Sequence, residues 1–245
     1  MSGWRRWLIG ICTVWGVILW EIKNAWLIAQ LCTTAGSMLV SLVLYAYAFG
    51  WQFATGLVLL LLAHEWGHVL AIRLLGLGAR GPLFIPFLGA VVQLKRPPRS
   101  LKCDAGIALA GPAAGTLSAL CCLAVYLWVD TKIWLVLAYT GCILNLFNLI
   151  PCSPLDGGKV VPAISSKLWL AGLFALTVIF VNTRNPFLLL IILFSLVHAW
   201  KAAGENLPHE YCWVSPLMRL KIGLWYFIIL GVLSVATVFT HRLLQ

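Results

Sequence analysis

The chain has 245 residues, 62% of them hydrophobic and only 10% charged, with 17 Lys and Arg against 7 Asp and Glu, a net charge of +10 and a mean hydropathy of +0.98. So little charge excludes a soluble domain of this size, because it could not cover the surface; lipid around the outside of the fold accounts for the excess of apolar residues. The positive balance does not point to nucleic acid, since the basic residues sit in short connections between apolar segments and no basic recognition motif accompanies them.

Apolar segments fall at about 7–20, 36–51, 53–72, 105–128, 133–151, 168–182, 186–200 and 222–241. Some reach the length of about 18–20 residues that a spanning helix needs, and others only approach it. The pattern predicts an all-α polytopic membrane protein, a bundle of about six to eight transmembrane helices. No polar linker divides the runs, so residues 1–245 read as one membrane-embedded unit. Within it, 53–158 carries the residues suited to chemistry, between N-terminal membrane segments at 1–52 and C-terminal ones at 159–245. Arg5 and Arg6 precede the first apolar stretch and no small-residue cleavage site follows, which reads as a retained anchor. Residues 7–35 fit either one long tilted helix or a short span followed by an interfacial piece.

The connection from Arg73 to Lys102 carries Arg73, Arg80, Lys95, Arg96, Arg99 and Lys102 and no acidic residue. The positive-inside rule puts it in the cytoplasm, so the preceding helix runs inward and its last third lies toward the cytoplasmic face. The side on which the N-terminus starts stays open. Residues 81–94 are apolar, β-prone and punctuated by Gly and Pro. Too short and broken to span, they predict a β-hairpin or re-entrant strap packed against the bundle. The eight cysteines (Cys12, Cys32, Cys103, Cys121, Cys122, Cys142, Cys152 and Cys212) show no CxxC spacing, and several lie in mid-segment. They read as small apolar fillers and not as a disulfide frame.

Of the seven acidic residues, Glu21, Asp130, Glu205 and Glu210 are in connections and Asp104 begins a segment, whereas Glu65 and Asp156 are attached to strongly apolar helices. A charge at bilayer depth costs about 2.5–3.5 kcal/mol, so these two need a functional or pairing explanation. Glu65 lies in His64-Glu65-Trp66-Gly67-His68. Histidines four apart on a helix point both imidazoles at one ion, and the Glu one step round reaches a water on that ion without ligating it. That is the division of labour of HExxH metallohydrolases, two ligands and a general base.

A catalytic zinc takes three protein ligands and leaves one position open. His198, His209 and His241 sit at or beyond segment ends and read as interfacial residues. The stronger candidate is Asp156, in Asn148-Leu-Ile-Pro151-Cys-Ser-Pro154-Leu-Asp156-Gly-Gly158. Two prolines break the helix near its cytoplasmic end, and the Gly pair lets the backbone turn sharply enough to deliver a carboxylate at the depth of the His pair. Two alternatives stand beside it: Asp156 as a helix cap, and Cys152 as the ligand. Gly111-Pro-Ala-Ala-Gly115 has the GxxxG spacing and predicts close helix packing.

His64-Glu-Trp-Gly-His68, followed by Asn148-x-x-Pro-x-x-Pro-Leu-Asp156-Gly-Gly, resembles the site-2 protease (M50) family of intramembrane zinc metalloproteases. Phe84–Ala90, Ala110–Gly115 and the region Gly36–Trp51 also resemble its bacterial members, and the likeness covers about 36–160. The resemblance implies one zinc ion per chain held by His64, His68 and Asp156, with Glu65 as base. It also implies Asn148 on the substrate carbonyl and the Phe84–Leu94 strap beside an unwinding substrate. A multi-pass protein of the bacterial cell membrane would follow, its active site toward the cytoplasm and its partners the lipid bilayer, a transmembrane protein substrate and a regulatory membrane protein. No PDZ-like or CBS-like segment is recognisable. The rival from another class is an ion- or proton-coupled transporter, in which intramembrane His, Glu and Asp also cluster. Inverted repeats would support it, and the chain has none.

Overall fold

The computed structural model describes residues 32–245 apart from 79, 80, 86–88, 93, 166 and 205–207. The Arg5–Arg6 anchor, the apolar segment at 7–20 and nearly all of 7–35 lie outside the described residues. From Cys32 the chain is helical: α1 (Cys32–Phe49) and α2 (Trp51–Leu74) are followed by strands β1 (Leu83–Ile85) and β2 (Gly89–Val91). Helices α3 (Leu101–Val129), α4 (Lys132–Asn148), α5 (Asp156–Ile164), α6 (Leu168–Thr183), α7 (Pro186–Gly204), α8 (His209–Cys212) and α9 (Pro216–Leu244) complete the described chain.

Four of these, α1, α2, α3 and α9, are long and apolar enough to cross a membrane by length and composition. At 1.5 Å per residue the 29 residues of α3 and of α9 reach about 43 Å, well beyond a hydrocarbon core of about 30 Å. Helices α4 and α6 are apolar but only 17 and 16 residues long. The outward faces of α6 and α7 carry large apolar side chains, such as Phe174, Leu190 and Phe194, as expected where lipid is the solvent.

The core gathers around α3. Small residues on it, Ala105, Ala108 and Ala119, are fully or almost fully buried, and they pack with Cys142 of α4, Val160 and Val161 of α5, and Ile222, Ile229 and Leu233 of α9. Small side chains let helix axes approach closely, which is how apolar helices gain contact where lipid competes for every apolar surface. The turns have local causes. Asp130 and Arg184 take the left-handed conformation at the C-caps of α3 and α6, while Ser215 caps α9 with Pro216 in its first turn.

The strap region forms a short antiparallel ladder, with Leu83 opposite Val91, Phe84 opposite Ala90 and Ile85 opposite Gly89. It is held to the bundle through Phe84, whose side chain is buried with Tyr45, Ala54, Leu57 and Val58. The Phe84 N–H donates to Ser37 Oγ of α1 at 3.1 Å.

Two boundaries differ from the sequence reading. The apolar run at 133–151 ends as a helix at Asn148, because Pro151 cannot donate to the helix and disfavours the helical conformation at the residue before it. Residues 156–164, read as part of a connection, form α5. Between α4 and α5 the chain makes an irregular turn with a cis Ser153–Pro154 bond. Local bonds hold it, from Cys152 N–H to Ile150 O at 2.7 Å and from Leu155 N–H to Cys152 O at 3.0 Å.

Candidate metal centre

Helix α2 presents His64 and His68 one turn apart on its buried face, with ring centroids 4.9 Å apart and the rings at 76°. The two Nε2 atoms are 3.2 Å apart. Asp156, the first residue of α5, brings Oδ2 to 3.0 Å from His64 Nε2 and 3.2 Å from His68 Nε2. All three residues are buried, at 5%, 8% and 9% exposure. Among the described residues they form the one group of three His, Cys, Asp or Glu side chains whose donor atoms converge, all within 4.8 Å of one another.

The hydrogen bonds behind the two rings decide what the cluster can hold. Asn145 of α4 donates its side-chain amide to Gly141 O at 2.8 Å, which turns its oxygen toward His64. That Oδ1 is 2.8 Å from His64 Nδ1 and can only accept, so the proton is on Nδ1. His68 Nδ1 faces Ile107 O of α3 at 2.8 Å, another atom that only accepts, and the same assignment follows. Both Nε2 atoms therefore present lone pairs toward a carboxylate oxygen. Three lone-pair donors this close repel unless a positive charge lies among them, either a further proton or a metal ion.

The donor set fits zinc. Two ligand atoms about 2.0–2.1 Å from a tetrahedral ion lie about 3.3 Å apart, close to the 3.0 and 3.2 Å separations seen here. A second hydrogen bond at the far nitrogen of each ring is what metal-bound histidines ordinarily have, because it fixes tautomer and orientation. The three side chains come from two helices, and three donors would leave the fourth position of a tetrahedral ion to water, as a catalytic site needs.

Glu65 is buried beside the cluster at 6% exposure but contributes no atom to it. Asn148 does not reach the His64 ring; it is half-buried at the last position of α4, and Asn145 occupies the place against His64. Cys152, weighed above as a ligand, is turned away, with Sγ 2.7 Å from Ser195 Oγ of α7 in a fully buried contact. His198 and His241 lie against Phe194 and Tyr139.

The spacing Gly111-x-x-x-Gly115 has a second meaning beyond helix packing. A Cβ on Gly111 would collide with the His68 ring, and one on Gly115 with the Asn145 amide. The missing side chains on α3 are the space in which one candidate ligand and the supporter of another sit. Asn145 and these two glycines are the site residues that the sequence reading did not assign. The signal for Asn145 was available, an amide three residues before Asn148 within an otherwise apolar helix.

Residues 52–131, which contain both histidines, match the family model of peptidase family M50. Over 139 residues the chain is 33% identical to a zinc metalloprotease of Methanocaldococcus jannaschii, an overlap of 55% of this chain and 40% of the relative. The chain thus spans about 40% of the length of that relative. Its backbone superimposes on the solved site-2 protease from Methanocaldococcus jannaschii with a TM-score of 0.46 and 23% identity, covering 67% of this chain and 85% of the other.

Proposed function

From the match of residues 52–131 to the family model of peptidase family M50, we propose that this chain is an intramembrane zinc metalloprotease that hydrolyses peptide bonds of membrane-spanning proteins. The observation that carries the reading is the convergence of His64 Nε2, His68 Nε2 and Asp156 Oδ2, with Glu65 buried beside them. His64, His68 and Asp156 would hold one zinc ion. A zinc ion there supplies Lewis acidity and makes water acidic enough to lose a proton near neutral pH.

The chain's own residues do the rest. Glu65 accepts the proton from the attacking water and returns it to the leaving amide nitrogen. Asn145 and the Ile107 carbonyl keep the two rings in the tautomer that ligates. Asn148 follows Asn145 by three residues and so shares its side of α4, from which it holds the substrate carbonyl. An unwound stretch of substrate adds as a strand beside β1 and β2, gaining main-chain hydrogen bonds. We place the site toward the cytoplasmic side of a bacterial cell membrane, an orientation that the basic connection between α2 and α3 supports. The whole chain then acts as one unit of six to eight spans, in contact with lipid, with a membrane-spanning substrate and with a regulatory membrane partner. No observation favours a transporter.

Purified full-length protein should contain about one zinc per chain, as a three-ligand catalytic site requires. It should cleave a single-span reporter protein in lipid vesicles. Replacing His64 and His68 together by Ala should remove both metal and cleavage. Stoichiometric zinc kept by that double variant, or cleavage that continues without metal, would refute the reading.

A further inference from the structure

We propose that Tyr226, on the C-terminal helix α9, is a positioning residue for the third metal ligand; the inference rests on Asp156 being that ligand. Helix α4 ends at Asn148, and the carbonyls of its last turn have no intrahelical partner. The Leu149 carbonyl, just past that end, is buried in the apolar core. Its donor is the Tyr226 hydroxyl, 2.6 Å away and 77 residues distant in sequence. Tyr226 is 4% exposed and Leu149 fully buried, so water does not substitute for either group.

The same carbonyl lies, on its other side, against the residue that follows Asp156. Gly157 follows Asp156 directly, and a Cβ on it would collide with the Leu149 and Ile150 carbonyls. The Leu149 carbonyl is thus wedged between the Tyr226 hydroxyl and the backbone next to Asp156. Pro151 and Pro154 bring no N–H donors to the turn, and its own bonds, from Cys152 N–H to Ile150 O and from Leu155 N–H to Cys152 O, go to other carbonyls. Removing the hydroxyl frees the carbonyl to rotate, and the first turn of α5 moves with it. Tyr226 touches no ligand atom; it acts through the backbone that carries Asp156.

The bland reading is that Tyr226 is a packing residue, since its ring lies in the main core cluster with Val160, Val161 and Ile229. Three variants separate the two. Tyr226→Phe keeps the ring and removes only the hydroxyl, and Tyr226→Leu removes both. Thr240→Val removes another fully buried hydroxyl of α9, one bonded only within its own helix to Ala236 O and Thr237 O.

The experiment uses full-length protein in detergent, stripped of metal and titrated with zinc against a chromophoric chelator, with the visible spectrum of the cobalt(II)-loaded form as second readout. Tyr226→Phe should weaken zinc binding about tenfold, the lower end for residues that orient a ligand, and should change the cobalt spectrum. Thr240→Val should lower the melting temperature yet leave zinc affinity and cobalt spectrum unaltered. The inference is overturned if Tyr226→Phe binds zinc and cobalt as wild type does and only Tyr226→Leu loses affinity. It is equally overturned if Thr240→Val weakens zinc as much, since the effect would then be general destabilisation. A wild-type protein that takes up no zinc removes the underlying metal assignment, and this inference with it, before any variant is compared.

Discussion

The two halves of the candidate metal centre are built in opposite ways. One half is a single uninterrupted helix: α2 carries His64, Glu65 and His68, and the 3.6-residue turn alone places the two rings side by side. The other half is an interruption, the turn from Leu149 to Leu155, which delivers one carboxylate and adds to its local bonds contacts with elements far away in sequence. Tyr226 of α9 holds Leu149, Ser195 of α7 meets Cys152, and Gly157 fits under the end of α4. The lesson is that a helix specifies a ligand pair locally, whereas a break specifies a ligand only through the whole bundle. Anything that changes the packing of α7 or α9 should therefore act on Asp156 first and on the histidines last.

Substitutions can break that contrast or sharpen it. The largest expected effect is on chemistry: Glu65→Gln should slow cleavage by roughly a hundredfold to ten-thousandfold, the usual worth of a general base, with zinc content unchanged by metal analysis. Near-normal turnover would take Glu65 out of the mechanism. Next is Asp156→Ala, which should weaken zinc binding by more than the roughly tenfold to hundredfold expected of a mere supporting residue, read by competition with a chelator. If zinc and cleavage both persist, the interrupted half supplies no ligand and the contrast collapses. The smallest effect belongs to Asn145. Asn145→Leu removes the acceptor behind His64 and should weaken zinc roughly tenfold, while Asn145→Asp, which still accepts from Nδ1, should recover most of it. Equal loss in both would mean that the amide serves packing and not the tautomer of His64.

The same contrast explains what could be read from the sequence. The pair His64 and His68, with Glu65 between them, is a local pattern on an apolar helix, so spacing and the cost of a buried charge were enough to single it out. Asp156 was legible because prolines and glycines announce a break. Its approach to the His pair was expected on those grounds; the contacts that brace the break, from Ser195 to Cys152 and from Tyr226 to Leu149, were not, because they come from positions far along the chain. The same limit applies to Asn145 and Asn148. Sequence offered two amides one helical turn apart, and only the rotation of α4 against α2 and α3 puts Asn145 on His64. Helix α5 escaped because nine residues containing two glycines and a proline carry little helix propensity; its burial against α3 and α9 outweighs that. The run of apolar segments made the membrane-embedded, mainly helical architecture plain, since composition alone demands it.

The bare face of α3 at Gly111 and Gly115 also bears on how a mutational map of this protein is to be interpreted. Neither position offers an atom to a metal, and each looks from sequence like ordinary helix-packing glycine. Yet a methyl group at one presses on the His68 ring and at the other on the Asn145 amide. Loss of activity in a scan of α3 therefore outlines the shape of the site in negative, tracing the volumes its functional groups occupy and not the groups themselves. A map drawn from activity alone would place part of the candidate site on a helix that contributes to it chiefly by leaving room.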